Sequence, residues 1–336
     1  MSKSLKVTLM MDKAWVPKED PELSGDSAGP MTERHVAVAL RELGHQVRVV
    51  GVGGDVREIV SALTEDPPEI VFNLTEQFGD DRRLDGNVAG LLELMGVPFT
   101  GAGAAGLMLC RDKGLCKQLL SLHKIQCPQF VELAPGRRPR VPRRLSYPLI
   151  VKPKFEDASE GIARRSIVNS EAELIERVRI IHEGWSQVAI AEQYVEGREL
   201  YVGVVGNESP SVFPAREIFF GRSAEGGPRI ATRRVKADAA YREKWQITYG
   251  FAELADDLAA EVSRLVKKVF RLLRLRDYGR LDLRLAPDNR IVVLEANANP
   301  DIGYGEDLAE AAEKAGVGYK DLIDRILKLA LKRYGG

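Results

Sequence analysis

The chain has 336 residues, with 49 Lys and Arg against 49 Asp and Glu and 44% hydrophobic residues, so it buries sizeable cores in two or three domains and offers no electrostatic footing for nucleic acid or an anionic membrane. Cys110, Cys116 and Cys127 form no C-x-x-C pair and the four histidines are dispersed, which excludes a disulfide framework and argues against a His/Cys zinc site. No apolar run is long enough for a bilayer and MSKSLKVTLMM carries no signal-peptide pattern, so a reduced, cytoplasmic enzyme of small molecules is expected.

In chain order, LKVTLMM reads as a buried strand and TERHVAVALREL as a helix capped by Thr32 and ended by Gly44. QVRVVGV, VREIVSAL, PEIVFNL and GNVAGLLELMG continue as strand, helix, strand and helix. Alternation at this spacing predicts parallel pairing in a small doubly wound α/β domain. The stretch from Trp15 to Met31 is rich in Pro, Asp, Gly and Ser, and reads equally as a binding loop or as disorder. Beyond Gly106 the pattern turns to α+β. GLMLCRDKGLCKQLLSLH is expected as one helix, followed by short strands around CPQFVEL, PLIVKPK and ARRSIVN. SEAELIERVRIIHE begins at a capping box of Ser170 and Glu173. QVAIAEQYV and ELYVGVVG are strands, residues 209–251 mix strand signals with a Gly-rich turn, and a long amphipathic helix, a hairpin and a C-terminal helix close the chain.

The hairpin GRLDLRLAPDNRIVVLEANANP concentrates charge. Leu281, Leu283 and Leu285 alternate with Arg280, Asp282 and Arg284, giving one apolar and one charged face. A two-residue turn at Asp288-Asn289 sets Asp282 opposite Glu295 and Arg280 opposite Asn297. Opposed carboxylates repel at the ~4.5–5.5 Å separation of facing Cβ atoms. A divalent cation removes the objection, and two carboxylates with an amide oxygen suit Mg²⁺. The alternative is a solvated charged face on which Arg280 and Arg284 neutralise the acids.

In PLIVKPKFEDASEGIARRS a strand runs into Lys152 and a Gly- and Ser-containing loop returns through Gly161. Such loops close over phosphates with backbone N–H groups, or are plain hairpin loops. GAGAAG at 101–106 matches a dinucleotide fingerprint, with Glu132 at the distance of a ribose acid, but it follows the α/β units instead of opening them. A nicotinamide enzyme is the reading it would support.

Taken together and in this order, these segments resemble the ATP-grasp superfamily, most closely its D-alanine–D-alanine ligase branch. VFNL with DGNVAGLLELMGVPFTGAGAAGLMLCRDK is similar to the branch's first signature and PLIVKPKFEDASEGI to its phosphate loop. AIAEQYVEGREL is similar to its adenine and ribose hinge and GRLDLRLAPDNRIVVLEANANP to its metal hairpin. The resemblance implies three domains, placed here at 1–105, 106–192 and 193–336, with ATP between the last two. It implies phosphate contacts from Lys113, Lys152, Lys236 and the retained Ser159, an adenine hinge of Glu192, Gln193, Tyr194 and Val195, and Glu199 on the ribose. Asp282, Glu295 and Asn297 would hold two Mg²⁺ ions, for which Mn²⁺ can substitute, and Arg280 would stabilise charge on the transferred phosphate. Lys236 would sit on a lid formed by SAEGGPRIATRRVKAD.

The implied chemistry is amide formation. A carboxylate attacks the γ-phosphate of ATP, and an amine displaces phosphate from the acyl phosphate without a nucleophilic Ser or Cys. The chain departs from the branch where D-alanine is read. The amino-terminal E-H-x-V-S motif and the H-G pair are absent, Ala158 and Ala237 stand for a serine and a tyrosine, and Asp301, Glu306 and Asp307 follow the metal hairpin. The expectation is a ligase of an amino acid or small peptide other than D-alanine. The alternatives are D-alanine–D-alanine ligase itself or a nucleotide-binding protein without turnover. Expected partners are small-molecule substrates, with no nucleic acid and no membrane, and a homodimer is left open.

Overall fold

The computed structural model describes residues 3–16, 31–224 and 229–335. Most of the Trp15–Met31 stretch, and residues 225–228 of the expected lid, therefore lie outside the described residues. Strands β1 (Lys6–Asp12), β2 (Gln46–Val52) and β3 (Ile70–Asn73) pair in parallel in the order β2-β1-β3. Helices α1 (Met31–Glu42) and α2 (Val56–Glu65) make the crossovers, and α3 (Asp85–Leu94) follows. Gly44, with φ +86°, supplies the left-handed residue that stops α1. Val7, Leu9 and Met11 enter one core while Met10 enters another with Val71 and Phe99, so both faces of β1 are covered, as a parallel sheet requires.

The helix expected over 106–123 is two helices, α4 (Ala104–Arg111) and α5 (Lys113–Leu122). Asp112 breaks it by taking extended backbone and accepting the Leu115 N–H at 2.9 Å, a cap that competes with helix continuation. Next come β4 (Phe130–Leu133), β5 (Leu149–Pro153), β6 (Ile167–Val168), α6 (Glu171–Trp185) and β7 (Ala189–Gln193). The four strands form an antiparallel sheet in the order β4-β7-β5-β6, with Leu174, Val178 and Ile181 of α6 in its core. Ser170 caps α6 by accepting the Glu173 N–H, and the Glu173 carboxylate reaches back to the Asn169 N–H at 2.8 Å.

The third sheet is built from β8 (Arg198–Val205), β9 (Ser211–Val212), β10 (Arg216–Phe219), β11 (Thr248–Phe251), β12 (Tyr278–Leu285) and β13 (Ile291–Asn297). Its order is β11-β10-β8-β12-β13, with β9 on β8. Two short helices, α7 (Arg233–Ala237) and α8 (Ala239–Trp245), precede β11. Helix α9 (Asp256–Leu272) buries Val262, Val266, Val269 and Phe270 in the core that holds Leu281, Leu283 and Leu285. Finally α10 (Asp307–Lys314) and α11 (Tyr319–Arg333) return to the first sheet, where Ile323, Ile326 and Leu327 pack with Val7 and Leu9.

The hairpin reaches its expected pairing by another route. Asp288-Asn289 is not a two-residue turn. Ala286 pairs with Arg290, and Asn289 takes the left-handed conformation at φ +63°, as in a three-residue loop. That loop alone would set Asp282 opposite Leu294. A bulge between Leu283/Val293 and Asp282/Glu295 restores the offset, so Asp282 faces Glu295 and Arg280 faces Asn297.

Candidate active site

The charged face of β12 is buried, contrary to the alternative of a solvated face: Asp282 and Arg284 are 6% and 4% exposed. Burying charge requires partners, and each has one. Arg280 grips Asp282 with two N–H groups at 2.8 and 3.2 Å, and Asn297 Nδ2 donates to the same carboxylate at 3.2 Å. Arg284 pairs across the sheet with Glu199 at 2.8 Å, not with Asp282 or Glu295. Glu295 is answered by Lys113 at 2.9 Å. The expected repulsion between the opposed carboxylates is therefore already relieved by two cations. Burial pushes the Asp282 carboxyl up despite Arg280. Burial would also raise Glu295, but Lys113, Lys152 and Lys117 outweigh it and hold Glu295 far below the carboxylate range.

These three lysines come from two elements, α5 and β5. Asp112 places Lys113 at the first position of α5, where its Nζ also reaches the Glu156 carbonyl. Lys152, on β5, points at Glu192 of β7 at 3.2 Å. Burial lowers the pKa of Lys152, only partly offset by Glu192. Lys117, which sequence reading missed, lies 3.0 Å from Glu192 and donates to the carbonyl of the bulged Leu294 at 2.8 Å. Its signal was positional: one helical turn after Lys113, it shares that face of α5.

Gln193 and Tyr194 leave β7 with their N–H groups bonded to the Gln129 and Pro148 carbonyls, and Val195 follows toward β8. The Tyr194 ring lies 6.0 Å from the Arg284 guanidinium, and Glu199 accepts the Tyr201 hydroxyl at 2.9 Å. Lys236 Nζ and the Arg280 guanidinium stand 5.8 and 5.5 Å from the Tyr201 ring. Ser159 Oγ donates to the Ala231 carbonyl at 2.8 Å, and Arg233 pairs with Glu160 at 3.0 Å, so the loop after Lys152 and the segment carrying Lys236 are in contact. Most of the residues singled out from the sequence fall in one connected group that also needs Tyr201, Arg284 and Lys117. It runs from Tyr194 through Arg284, Glu199, Tyr201, Arg280 and Asp282 to Glu295, Lys113 and the lysines around Glu192. The Gln193 side chain, by contrast, turns away to donate to Ser146.

A cavity of about 580 Å³ opens beside Arg280, Asn297 and Lys236. Ala158, Ala237, Asp301, Glu306 and Asp307 all line it. Glu76 and Arg216 line it too and were missed. Arg216 pairs with Asp307 at 3.2 Å, and Glu76 with Arg82 at 3.2 Å. Carboxyl groups at this end are pushed upward: burial, with Asp301 and Asp307 nearby, raises Glu306 to about 6, and burial with Glu76 and Asp301 raises Glu33 to about 7.

The GAGAAG glycines have a different task from a phosphate cradle. The Gly101 and Ala102 N–H groups are bonded to Asp277 and Asn299 at 2.8 and 2.9 Å. A Cβ at Gly103 would fall 2.0 Å from Arg276, and one at Gly106 2.9 Å from the Arg274 carbonyl. These glycines allow close packing against the third sheet's surroundings, and Glu132 pairs with Lys154.

Among the described residues no group of three or more His, Cys, Asp or Glu side chains could hold a metal ion, and no helix is long and apolar enough to cross a membrane. Asp282, Glu295 and Asn297, the residues that would hold Mg²⁺, are brought together by the strand register; Arg280 and Lys113 neutralise the two carboxylates, and Asn297 turns its Nδ2 toward Asp282.

A family model for the D-ala D-ala ligase C-terminus matches residues 125–328. An uncharacterized protein, y4sG, of Sinorhizobium fredii is 32% identical over 306 residues, which cover 90% of this chain and 88% of that one. A D-alanine–D-alanine ligase of Bordetella petrii is 33% identical over 256 residues, 73% of this chain and 72% of that one. Among solved structures, D-alanine–D-alanine ligase from Bacillus anthracis complexed with ATP superimposes with a TM-score of 0.76 at 21% identity, covering 99% of both chains. The fold is therefore that of the ATP-grasp ligases. The chain belongs to the D-alanine–D-alanine ligase family.

Proposed function

We propose that the chain is an ATP-dependent carboxylate–amine ligase that forms an amide through an acyl phosphate, acting on an amino acid or small peptide other than D-alanine. The observation that carries this reading is the connected group of buried acids and bases around Asp282 and Glu295, opening onto the cavity. A protein that only bound nucleotide would have little use for a bidentate Arg280–Asp282 pair at the edge of a second substrate space.

In this reading Gln193 to Val195 frame the adenine beside Glu192, and Glu199 turns from Tyr201 and Arg284 to the ribose hydroxyls. Lys113 and Lys152 exchange their carboxylate partners for phosphate oxygens, and Lys236 with Ser159 closes over the phosphates. Asp282, Glu295 and Asn297 would hold Mg²⁺, which when bound would neutralise phosphate charge. Arg280, already at the cavity wall, stabilises the charge that develops as the substrate carboxylate takes the γ-phosphate and later as the amine adds to the acyl carbon. Contact between the phosphate loop and the Lys236 segment excludes water from the acyl phosphate. The substrate end supports a larger amine-bearing substrate. Ala158 and Ala237 leave space, and Asp301 and Glu306 favour an ammonium over a second carboxylate, because an unpaired buried charge costs several kcal/mol. The names of the Bordetella and Bacillus relatives favour the second reading, D-alanyl-D-alanine synthesis.

A matrix of acids and amines scored by Mg²⁺-dependent ADP release tests the two. D-alanine alone should stay near background while at least one larger amino acid or peptide exceeds it. Efficient D-alanyl-D-alanine synthesis at millimolar D-alanine would overturn the substrate reading, and no ADP release in any well would overturn the ligase reading.

A further inference from the structure

We infer that Arg111 is a positioning residue for the phosphate-covering loop: it neutralises Asp157, so that a loop carrying a carboxylate can lie over a triphosphate. The inference rests on the ATP reading above. The loop between β5 and β6 carries three acids, Glu156, Asp157 and Glu160, in a segment expected to face phosphates. Each is answered. Glu156 accepts from Gln187 Nε2 at 2.8 Å and Glu160 pairs with Arg233 at 3.0 Å. Asp157 pairs with Arg111, and Lys113 Nζ stands 3.7 Å from its other oxygen. Asp157 is thus the loop acid that shares a cation with Glu295.

Arg111 is suited to the task. Its side chain is 10% exposed, lines the cavity, and bridges Asp157 to Asp85 on α3, whose side chain is 3% exposed. The planar guanidinium serves both carboxylates at once, which a lysine ammonium does less well. Asp85 anchors Arg111 to the first α/β unit, so the pair ties the loop to a rigid element. The two residues after Asp157 need such a tether. Ala158 and Ser159 are consecutive non-glycine residues in the left-handed region, at φ +50° and +61°. That conformation persists only where contacts on both sides enforce it. Arg111 holds one side, and the Ser159 hydrogen bond to Ala231 holds the other. Without Arg111, the Asp157 carboxylate has only the more distant Lys113 to answer it and opposes an incoming phosphate.

Calorimetric binding of a non-hydrolysable ATP analogue with Mg²⁺ to the full chain tests this. Arg111→Met should weaken binding by about tenfold or more, the effect of one uncompensated charge near the phosphates. Asp157→Asn should bind as tightly as wild type or more tightly. The double variant should return to within about threefold of Asp157→Asn, a rescue expected only if the two residues act as a pair. If Arg111→Met fails to fold because Asp85 is stranded, the same comparison in an Asp85→Asn background decides the question. Unchanged binding by Arg111→Met, or a double variant as weak as Arg111→Met, would overturn the inference while the ATP reading stands. A wild-type protein that binds no nucleotide would overturn that reading first.

Discussion

Glu295 shows how a single carboxylate serves the empty and the loaded site. Read from the strand pattern alone, it opposes Asp282 and its removal should relieve repulsion. In the structure it neutralises buried Lys113, so Glu295→Gln should cost both activity and stability. We expect ADP release to vanish and the ligand-free protein to lose about 3 kcal/mol at neutral pH, the usual cost of stranding one partner of a buried pair. Glu295 has a depressed pKa, so its contribution is present above the ordinary carboxylate range and disappears as pH falls below it. The gap between wild type and variant, measured by urea unfolding, should therefore narrow on acidification. A variant as stable as wild type at pH 7 would contradict the pairing. Glu33 behaves in the opposite sense. Its pKa is raised from 4.5 to about 7, so its protonated form favours folding at low pH and that stability is lost as pH rises through 7. Glu33→Gln should gain on wild type by roughly 2 kcal/mol between pH 5 and pH 8, and parallel pH profiles would refute this.

Among the elements, β13 depends on α5. The bulge that sets Glu295 opposite Asp282 presents its Leu294 carbonyl to Lys117, which also pairs with Glu192. Lys117→Met leaves both without that partner. It should destabilise the fold by about 3 kcal/mol and weaken nucleotide binding together, whereas a loss of stability with unchanged binding would uncouple the bulge from the site. This coupling was hidden in the sequence because two offsets cancel: the three-residue loop moves the register by one and the bulge moves it back. Periodicity recovered β1 to β3, α1 to α3 and the charged face of β12, where patterns run for several residues. It missed the break at Asp112, since a capping aspartate inside an apolar-periodic stretch looks like a surface residue of a longer helix. It missed α7 and α8, which are too short to show a helical period, and α10, whose small residues give weak apolar contrast. Of the residues matched by motif, Arg280, Asp282, Glu295 and Lys113 do fall side by side. Arg111 and Arg216 were not legible, because their partners Asp85, Asp157 and Asp307 come from distant segments, and Glu76 was not because its loop carries no periodic pattern.

At the scale of the molecule, the second and third sheets and α5 bring the acids and lysines together, and α11 closes the chain onto the first sheet. A ligand that binds only this assembled state stabilises it by mass action, by about 2.7 kcal/mol at a hundredfold excess over Kd. ATP with Mg²⁺ should raise the melting temperature and NAD should not. A rise with NAD alone would return the GAGAAG loop to consideration despite its occupied N–H groups. The most direct test of the central claim follows the oxygen atoms. With the acid and amine that release most ADP, the substrate carboxylate is labelled with oxygen-18 and the inorganic phosphate is analysed by mass spectrometry. Transfer of one labelled oxygen to phosphate for each amide formed is the predicted result, because the carboxylate oxygen that attacks ATP leaves with the phosphate. Amide formation with unlabelled phosphate, or with AMP in place of ADP, would contradict the account.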